Sequence, residues 1–412
     1  MKAQISEIKV GIDFGTGIDP VGRLAIRDQT IYFEYDMKFV QKGMEISPFR
    51  LPLRSGVIEL PNRPFDGLAG VFSDSLPDGW GRLLFDRMVR SQGFMPEDFS
   101  PLDRLAHVGL YGMGALVYEP SNTPEDINER IDLDHLASQT EEVLKGSSEE
   151  VISELLSLNG SSAGARPKAL IGVDLSFKNI AFGAQSIEKE FEPWLVKFPN
   201  SQDGDDSGAI EFIYAKMAKA AGVFLPEVHL FPSLKGPGFF AIKRFDREKD
   251  KRFHMHTVSG LLHSNFRTPS LDYEDLLNLT GQITKDFREV EKIYRLAIFN
   301  VLSHNRDDHA KNFSFLMDSS GNWKFAPAYD LTFSSGPGGE QSTMVMGEGK
   351  KPSINHLVKL GLEAKISKNK IEEIIEQTKS ALNQWEPLAK FYGVSKSNIK
   401  LVKTSIVELV NS

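Results

Sequence analysis

The 412-residue chain contains no cysteine. That absence excludes disulfides, thiol nucleophiles and cysteine-ligated zinc together, and it removes a usual mark of an exported domain. The sequence also lacks an uninterrupted apolar run of about 18 residues, the length needed to cross a bilayer, and its start, MKAQISEIKVGIDFG, lacks the apolar core of a signal peptide. Nor is there a surplus of positive charge: 48 Lys and Arg stand against 56 Asp and Glu, a formal net charge of −8. A protein that coats nucleic acid needs clustered cationic residues in excess, so that class is set aside and only a local basic patch stays open. A cytoplasmic protein without membrane attachment is the expectation. What is present is ordinary globular material, 41% apolar and 25% charged, in a chain long enough for two or three domains.

The first 120 residues are rich in Gly and Pro and carry short runs at 23–27 and 30–35 between turn signals, which predicts a β-rich module over residues 1–120. One stretch in it, 79–90, places its apolar residues near helical spacing. Over 119–150 ten acidic residues stand against two basic ones and large apolar positions are few. This is the pattern of an acidic connecting segment, 121–150, with one polar helix. Residues 151–412 follow as the catalytic part. In its first portion, 151–250, the stretches 193–198 and 238–245 read as strands, each holding a lysine inside an apolar run, and 208–221 reads as a helix closed by Gly222. From Asp272 onward, within 251–412, helices dominate, broken at 303–316 and at the Gly-rich stretch 334–349.

The densest chemistry lies in SHNRDDHAKNFSFL, residues 303–316. His304, Asp307, Asp308 and His309 are acceptable ligands for a divalent metal, yet their spacing is not diagnostic, and on a polar loop such groups are ordinarily hydrogen-bonding or solvated. The wider order decides more. Asp307 is followed five residues later by Asn312, and after a hairpin pattern comes Asp330 in Pro-Ala-Tyr-Asp-Leu. That is the protein-kinase order: a loop aspartate accepts the hydroxyl proton, an asparagine five residues on binds magnesium, and a later aspartate binds the ions that bridge the phosphates.

Phosphoryl transfer also needs cations and backbone amides around a triphosphate. Lys197, inside an apolar strand, is costly there unless paired or liganded, so a contact to phosphate or to Glu211 on the next helix is physically attractive. The plain alternative is that Lys197 reaches solvent from an exterior strand. Upstream, residues 159–168, NGSSAGARPK, form a loop of small residues that lets backbone N–H groups approach phosphates, with Lys168 adding charge. It matches neither the Walker pattern nor the kinase glycine loop, and such loops are often only turns.

Taken together, these residues resemble the HipA family of bacterial toxin kinases, the serine/threonine kinase half of a type II toxin–antitoxin pair. The resemblance spans nearly the whole chain and is carried by SSAGARPK at 161–168, RFDR at 244–247 with HMH at 254–256, DDHAKN at 307–312 and Tyr329-Asp330, together with PFDG at 64–67 and FSDSLPDGWGR at 72–82. It implies an α+β fold with a kinase-like catalytic domain and a mostly helical carboxy-terminal lobe. It implies Asp307 as proton acceptor, Asn312 and Asp330 as Mg²⁺ ligands, and Ala163, Gly164, Ala165, Arg166, Pro167 and Lys168 over the phosphates of ATP, with Lys197 touching them. Lys243, Arg244 and Phe245 stand at the hinge that holds adenine, and His309, Ala310, Lys311 and Tyr329 are counted with the nucleotide site. Where the family loop often carries Gly after the catalytic aspartate, this chain has Asp308, which either binds a second metal or shapes the loop. Ser161 aligns with the family's autophosphorylated serine, with Ser162 beside it as the rival acceptor.

The resemblance also implies partners: a helix-turn-helix antitoxin, operator DNA only together with it, and an aminoacyl-tRNA synthetase as the phosphorylated protein. Lys390, Lys396, Lys400 and Lys403 on the last helices are candidates to touch that DNA, or form a solvated face. The expected function is therefore an ATP- and Mg²⁺-dependent serine/threonine kinase with inhibitory autophosphorylation at Ser161. Two other classes stay open, a catalytically silent DNA-binding co-repressor and a metal-dependent phosphohydrolase.

Overall fold

A computed structural model describes residues 5–122, 131–146, 155–156, 164, 166–182, 190–200, 204–265 and 271–410. The chain forms two compact units: Met1–Gln202 with Ile242–His263 and Leu316–Asn322, and Asp203–Ala241 with Ser264–Phe315 and Trp323–Ser412. The first unit runs on past residues 120 and 150 and takes back two later segments. The fold class is α+β, as expected.

The first unit opens with an antiparallel sheet in the order β4-β3-β2-β1-β5, formed by β1 (Glu7–Asp13), β2 (Ile18–Arg27), β3 (Thr30–Tyr35), β4 (Val57–Glu59) and β5 (Leu116–Glu119). In β3 the alternation of the sequence is the alternation of burial: Ile31, Phe33 and Tyr35 face the core, while Thr30, Tyr32 and Glu34 stay half-exposed. Gly22 in β2 is required by proximity, since a Cβ there would lie 2.2 Å from the Glu34 carbonyl oxygen. The helices α1 (Met37–Lys42), α2 (Gly70–Ser73), α3 (Gly79–Ser91) and α4 (Pro101–Val108) follow, and α3 buries Trp80, Leu84, Phe85, Met88 and Val89 at the spacing that predicted it. A Ser100/Asp103 capping box with Pro101 at the first turn starts α4.

The acidic segment is less polar than its composition suggests. Its helix α5 (Leu133–Lys145) buries Leu133, Leu136, Thr140 and Val143, one stripe of a helix whose other faces carry the charge. Three antiparallel strands come next, β6 (Lys168–Asp174), β7 (Ile180–Phe182) and β8 (Phe191–Lys197), with β6 between the other two.

The returning segment 242–263 is fastened to the amino-terminal module by buried charge. Asp246, 0% exposed, accepts from Arg244 (3.0 and 2.8 Å), from Arg247 (2.7 Å) and from the Gly114 amide (2.7 Å). Arg247 and Arg252 in turn donate to carbonyls of residues 110–114, and Arg252 pairs with Asp13. Burial alone would raise the Asp246 pKa, but the two arginines hold it well below the usual carboxylate range. A second clasp joins Asp74 to His256 (2.6 Å) and to both the amide and hydroxyl of Thr257 (2.7 Å each), with His256 also 3.0 Å from Ser47 Oγ. Ser47, His256 and Asp74 thus repeat the connectivity of a hydrolase triad, but Ser47 is 1% exposed and no substrate reaches it. Beside them the backbones of α2 and of helix Val258–Leu262 touch, which glycine at both Gly70 and Gly260 permits.

The second unit is mainly helical: α6 (Ser207–Ala220), α7 (Tyr273–Thr284), α8 (Phe287–Leu302), α9 (Ile354–Glu363), α10 (Lys368–Leu382), α11 (Trp385–Phe391) and α12 (Lys396–Val410). Helix α8 is its axis. From Leu296 to Leu302 every residue is buried, so this end is packed on all sides and delivers the following loop from a fixed point. Asp206, at the start of α6, grips the Ser395 amide (2.8 Å) and the Asn398 side chain (2.9 Å) ahead of and within α12.

Replacing Asp246 by Ala leaves two arginines buried without their carboxylate and should lower the unfolding free energy by about 3–5 kcal/mol. Because its pKa is depressed on folding, the stabilisation is present above about pH 4 and disappears as the pH falls through the folded-state value. Urea titrations of both proteins at neutral pH and near pH 3 measure this; equal stability at neutral pH would contradict it.

Candidate active site

Helix α8 ends into the loop 303–312, and the Ser303 carbonyl is taken at once by the Tyr214 hydroxyl (2.7 Å). His304 turns the chain with φ +60° and stacks its ring on Phe333, 5.2 Å between centroids, with Nδ1 3.1 Å from the Ser334 carbonyl. Ser334 donates back to the His304 carbonyl (3.1 Å). The Arg306 carbonyl accepts from the Ser342 amide (3.1 Å) and hydroxyl (2.9 Å), and its guanidinium donates to the Gly339 carbonyl. The loop therefore lies along a strap, residues 334–343, that the sequence showed only as a Gly-rich break. Asp307 itself is exposed at the turn, and its carbonyl accepts from Asn312 Nδ2 (2.7 Å).

Asp308 points the other way. It is 1% exposed, and three donors converge on it: the Tyr273 hydroxyl (2.6 Å) and Gln341 Nε2 (2.8 Å) on one oxygen, the Thr343 amide (3.1 Å) on the other. Of the two roles open to it, second metal ligand or shaper of the loop, this geometry fits the second. His304 is likewise turned onto the strap. Among the described residues no group of three or more His, Cys, Asp or Glu is placed to hold a metal.

Tyr329 ties the second aspartate to the same loop. Its hydroxyl donates to the Lys311 carbonyl (2.7 Å) and lies 2.5 Å from Ser314 Oγ, and Asp330 follows in a left-handed conformation, φ +54°, which a short polar side chain tolerates best among non-glycines. Ala326 N donates to the Ser314 carbonyl below it. Asn312, Lys311 and Asp330 are half-buried, Ala310 is buried and His309 half-buried. The second unit thus holds Asp307, Asn312 and Asp330, with Tyr329 as their cross-tie.

The residues expected over the phosphates and at the adenine hinge belong to the first unit. Gly164 has φ +113°, its carbonyl accepts from the Trp80 amide at the start of α3 (3.1 Å), and a Cβ on it would lie 2.3 Å from Lys168 Nζ. Its left-handed φ is what favours glycine here. Lys168 faces Lys197 directly across the β6–β8 ladder, which puts both side chains on one face of the strand ends. The side chain of Lys243 pairs with Glu192 (2.5 Å), that of Arg244 is turned onto Asp246, and the Arg244 amide donates to the Pro193 carbonyl. Phe245 and Arg166 are half-buried, and Pro167 is buried. Ser161, Ala163 and Ala165 lie outside the described residues. Glu211 is buried on α6.

Sequence reasoning passed over Tyr273, Asn300, Asn305, Gln341 and Thr343, which hold the loop from behind. Asn300 inside the apolar end of α8, and Asn305 just past it, were the available signal. Of the carboxy-terminal lysines, Lys390 and Lys403 both pair with Glu386. No helix among the described residues is long and apolar enough to cross a membrane.

Fold and loop together give an α+β protein whose site residues run in the kinase order, aspartate, asparagine, aspartate. The HipA N-terminal domain matches residues 16–119 and the HipA-like C-terminal domain matches residues 160–385. The chain belongs to the HipA family. A protein of Sinorhizobium fredii named as a kinase, Y4mE, is 26% identical over 268 residues, 62% of this chain and 55% of that protein. A protein of Haemophilus influenzae, also named as a kinase, is 29% identical over 102 residues, 22% of this chain and 30% of that one. The chain thus spans about half of the first relative's length and less of the second. Among solved structures, HipA of a Shewanella oneidensis toxin–antitoxin system, in complex with HipB and its operator DNA, covers 98% of this chain and 96% of its own with a TM-score of 0.67 at 17% identity, a likeness of fold.

Burial pushes Asp308 up to about 7 in spite of its three donors, whereas an unfolded chain releases this proton near pH 4. A pKa raised on folding stabilises the native state fully at low pH, and the gain is lost as pH rises from about 4 through 7. Between about pH 5 and pH 8 the wild type should therefore lose about 1–3 kcal/mol of stability that Asp308→Asn does not lose. Parallel urea-stability profiles for the two proteins would contradict this.

Proposed function

We propose that the chain is an ATP- and Mg²⁺-dependent serine/threonine protein kinase, the toxin half of a toxin–antitoxin pair. The observation that supports it most is the loop itself: an exposed Asp307 on a turn pinned on both sides, with Asn312 and the Tyr329-tethered Asp330 beside it.

The residues suit the chemistry. With its amide nitrogen committed to the Asp307 carbonyl, Asn312 has its Oδ1 left to offer, and with the Asp330 carboxylate this makes the hard oxygen donor set that Mg²⁺ takes alongside phosphate oxygens. Bound there, the ion would neutralise charge on the phosphates of ATP. Within the first unit, Lys168 and Lys197, in register on one face of β6 and β8, are two cations suited to a triphosphate. Asp307 accepts the proton of the attacking hydroxyl at its carboxylate, which is exposed to an incoming protein acceptor. Its carbonyl, held by Asn312, keeps that acid and the metal ligand in one frame.

The partners follow from the family resemblance: a helix-turn-helix antitoxin, operator DNA engaged only through it, and an aminoacyl-tRNA synthetase as acceptor. The Shewanella protein was solved with HipB and operator DNA, which supports the first two. Phosphate on Ser161 would place about two negative charges next to a triphosphate site and lower ATP affinity.

Asp307→Ala should lower transfer by roughly two to four orders of magnitude and leave ATP binding within a few-fold of the wild type, since a proton acceptor acts in the transition state. Asp330→Ala should weaken Mg-ATP binding as well. Calorimetric titration with and without Mg²⁺, beside a transfer assay, reads both; near-normal transfer by Asp307→Ala removes it from the assigned role.

Lys197→Met should reduce nucleotide affinity without unfolding the chain, because methionine keeps an apolar stem in the strand. An unchanged ATP dissociation constant with a normal melting profile would mean that Lys197 only reaches solvent.

A further inference from the structure

We infer that Asp308 is a positioning residue for phosphoryl transfer: it closes a ring of buried hydrogen bonds that fixes the turn 305–308 and thereby sets where the Asp307 carboxylate points. The inference rests on the reading of Asp307 as proton acceptor.

The ring can be followed bond by bond. Asn305 Nδ2 donates to Asn300 Oδ1 (3.0 Å), Asn300 Nδ2 donates to the Tyr273 hydroxyl (3.0 Å), and that hydroxyl donates to Asp308 Oδ2 (2.6 Å). Gln341 Nε2 closes it, donating to the same Asp308 oxygen (2.8 Å) and to the Asn305 carbonyl (2.8 Å). All five residues are at most 2% exposed. The two loop residues in the ring, Asn305 and Asp308, bracket Arg306 and Asp307, so one amide group spans the base of the turn on which Asp307 is presented. Thr343 adds a bond from its amide to the other Asp308 oxygen (3.1 Å) and one from its hydroxyl to the Asp308 carbonyl.

The ring joins three parts of the second unit. Asn300 comes from the packed end of α8, Tyr273 from the first turn of α7, and Gln341 and Thr343 from the strap. Asp272, which caps α7, also accepts the amides of Met346 and Gly347, so the strap is held at a second point just beyond. Breaking the ring in water would cost little, but here each freed group is buried and has no water to turn to.

Polarity singles out Asp308 within the ring. In its ionised form Asp308 takes every bond to its side chain from a partner, and Tyr273 already accepts from Asn300. An asparagine at 308 turns an NH₂ group towards one of those donors, so the turn must move to relieve the clash. A shift on the order of 1 Å in a reacting group costs up to roughly 100-fold in rate, while ATP, held by other residues, is bound as before.

The test compares wild type, Asp308→Asn and the milder Tyr273→Phe, which keeps the ring's volume and folds if the first variant does not. Each lowers kcat by about 10- to 100-fold with the KM for ATP within about threefold, and backbone amide exchange at 304–308 and 341–344 quickens while that of β1 to β3 does not. Two results overturn the inference: wild-type kcat in Tyr273→Phe, or slow, unchanged exchange at 304–308 in every folded variant. If the wild type transfers no phosphate, the reading of Asp307 fails instead, and exchange alone still decides the ring.

Discussion

A carboxylate taken out of water must be given donors in its place, and the loop 303–312 is shaped by how the chain meets that demand at Asp308. The residue before it, Asp307, is exposed; Asp308 is buried under three donors drawn from two segments. One turn thus carries an exposed carboxylate outward, the proposed proton acceptor, and an anchoring carboxylate inward. The helix that leads in, the strap that runs alongside and the tyrosine that leads to Asp330 all hold this turn in place. Were the anchoring bonds weaker, Asn312 and Asp330 would keep their sequence spacing without keeping the loop's shape.

The same physical device recurs in the first unit with the opposite charge balance. Asp246 is as buried as Asp308, but its donors are guanidinium groups, so its pKa falls where that of Asp308 rises. The segment carrying Phe245 and Asp246 is thereby fastened to residue 13 and to the loop 110–114 of the amino-terminal module. Part of what the Arg-Phe-Asp-Arg stretch does is therefore structural: it binds the amino-terminal module to the strands that carry Lys168 and Lys197.

Much of this was legible beforehand because periodicity reports burial directly. The alternation of 30–35 gave β3, the apolar spacing of 79–90 gave α3, and Gly222 marked the end of α6. The α5 stripe was hidden because its charged neighbours dominate the composition. In the candidate site, the spacing from Asp307 to Asn312 and the later Asp330 showed in the sequence because the kinase-like order is a matter of spacing along the chain. The ring behind them did not, since Tyr273, Asn300 and Gln341 are separated by up to 68 residues and meet only through tertiary folding. Asp308 illustrates the limit: its neighbours in sequence left ligand and loop shaper both open, while its neighbours in space make it an anchor. Returning segments such as 242–263 carry no local mark of where they dock.

The central claim is that this loop transfers a phosphoryl group from ATP to a protein hydroxyl. Following the γ-phosphate of labelled ATP with Mg²⁺ and a soluble extract of the host's own proteins tests it most directly. The account predicts label on serine or threonine of a protein acceptor, lost when Asp307 is replaced by Asn. Label released only as inorganic phosphate, or protein labelling that persists without Asp307, would contradict it.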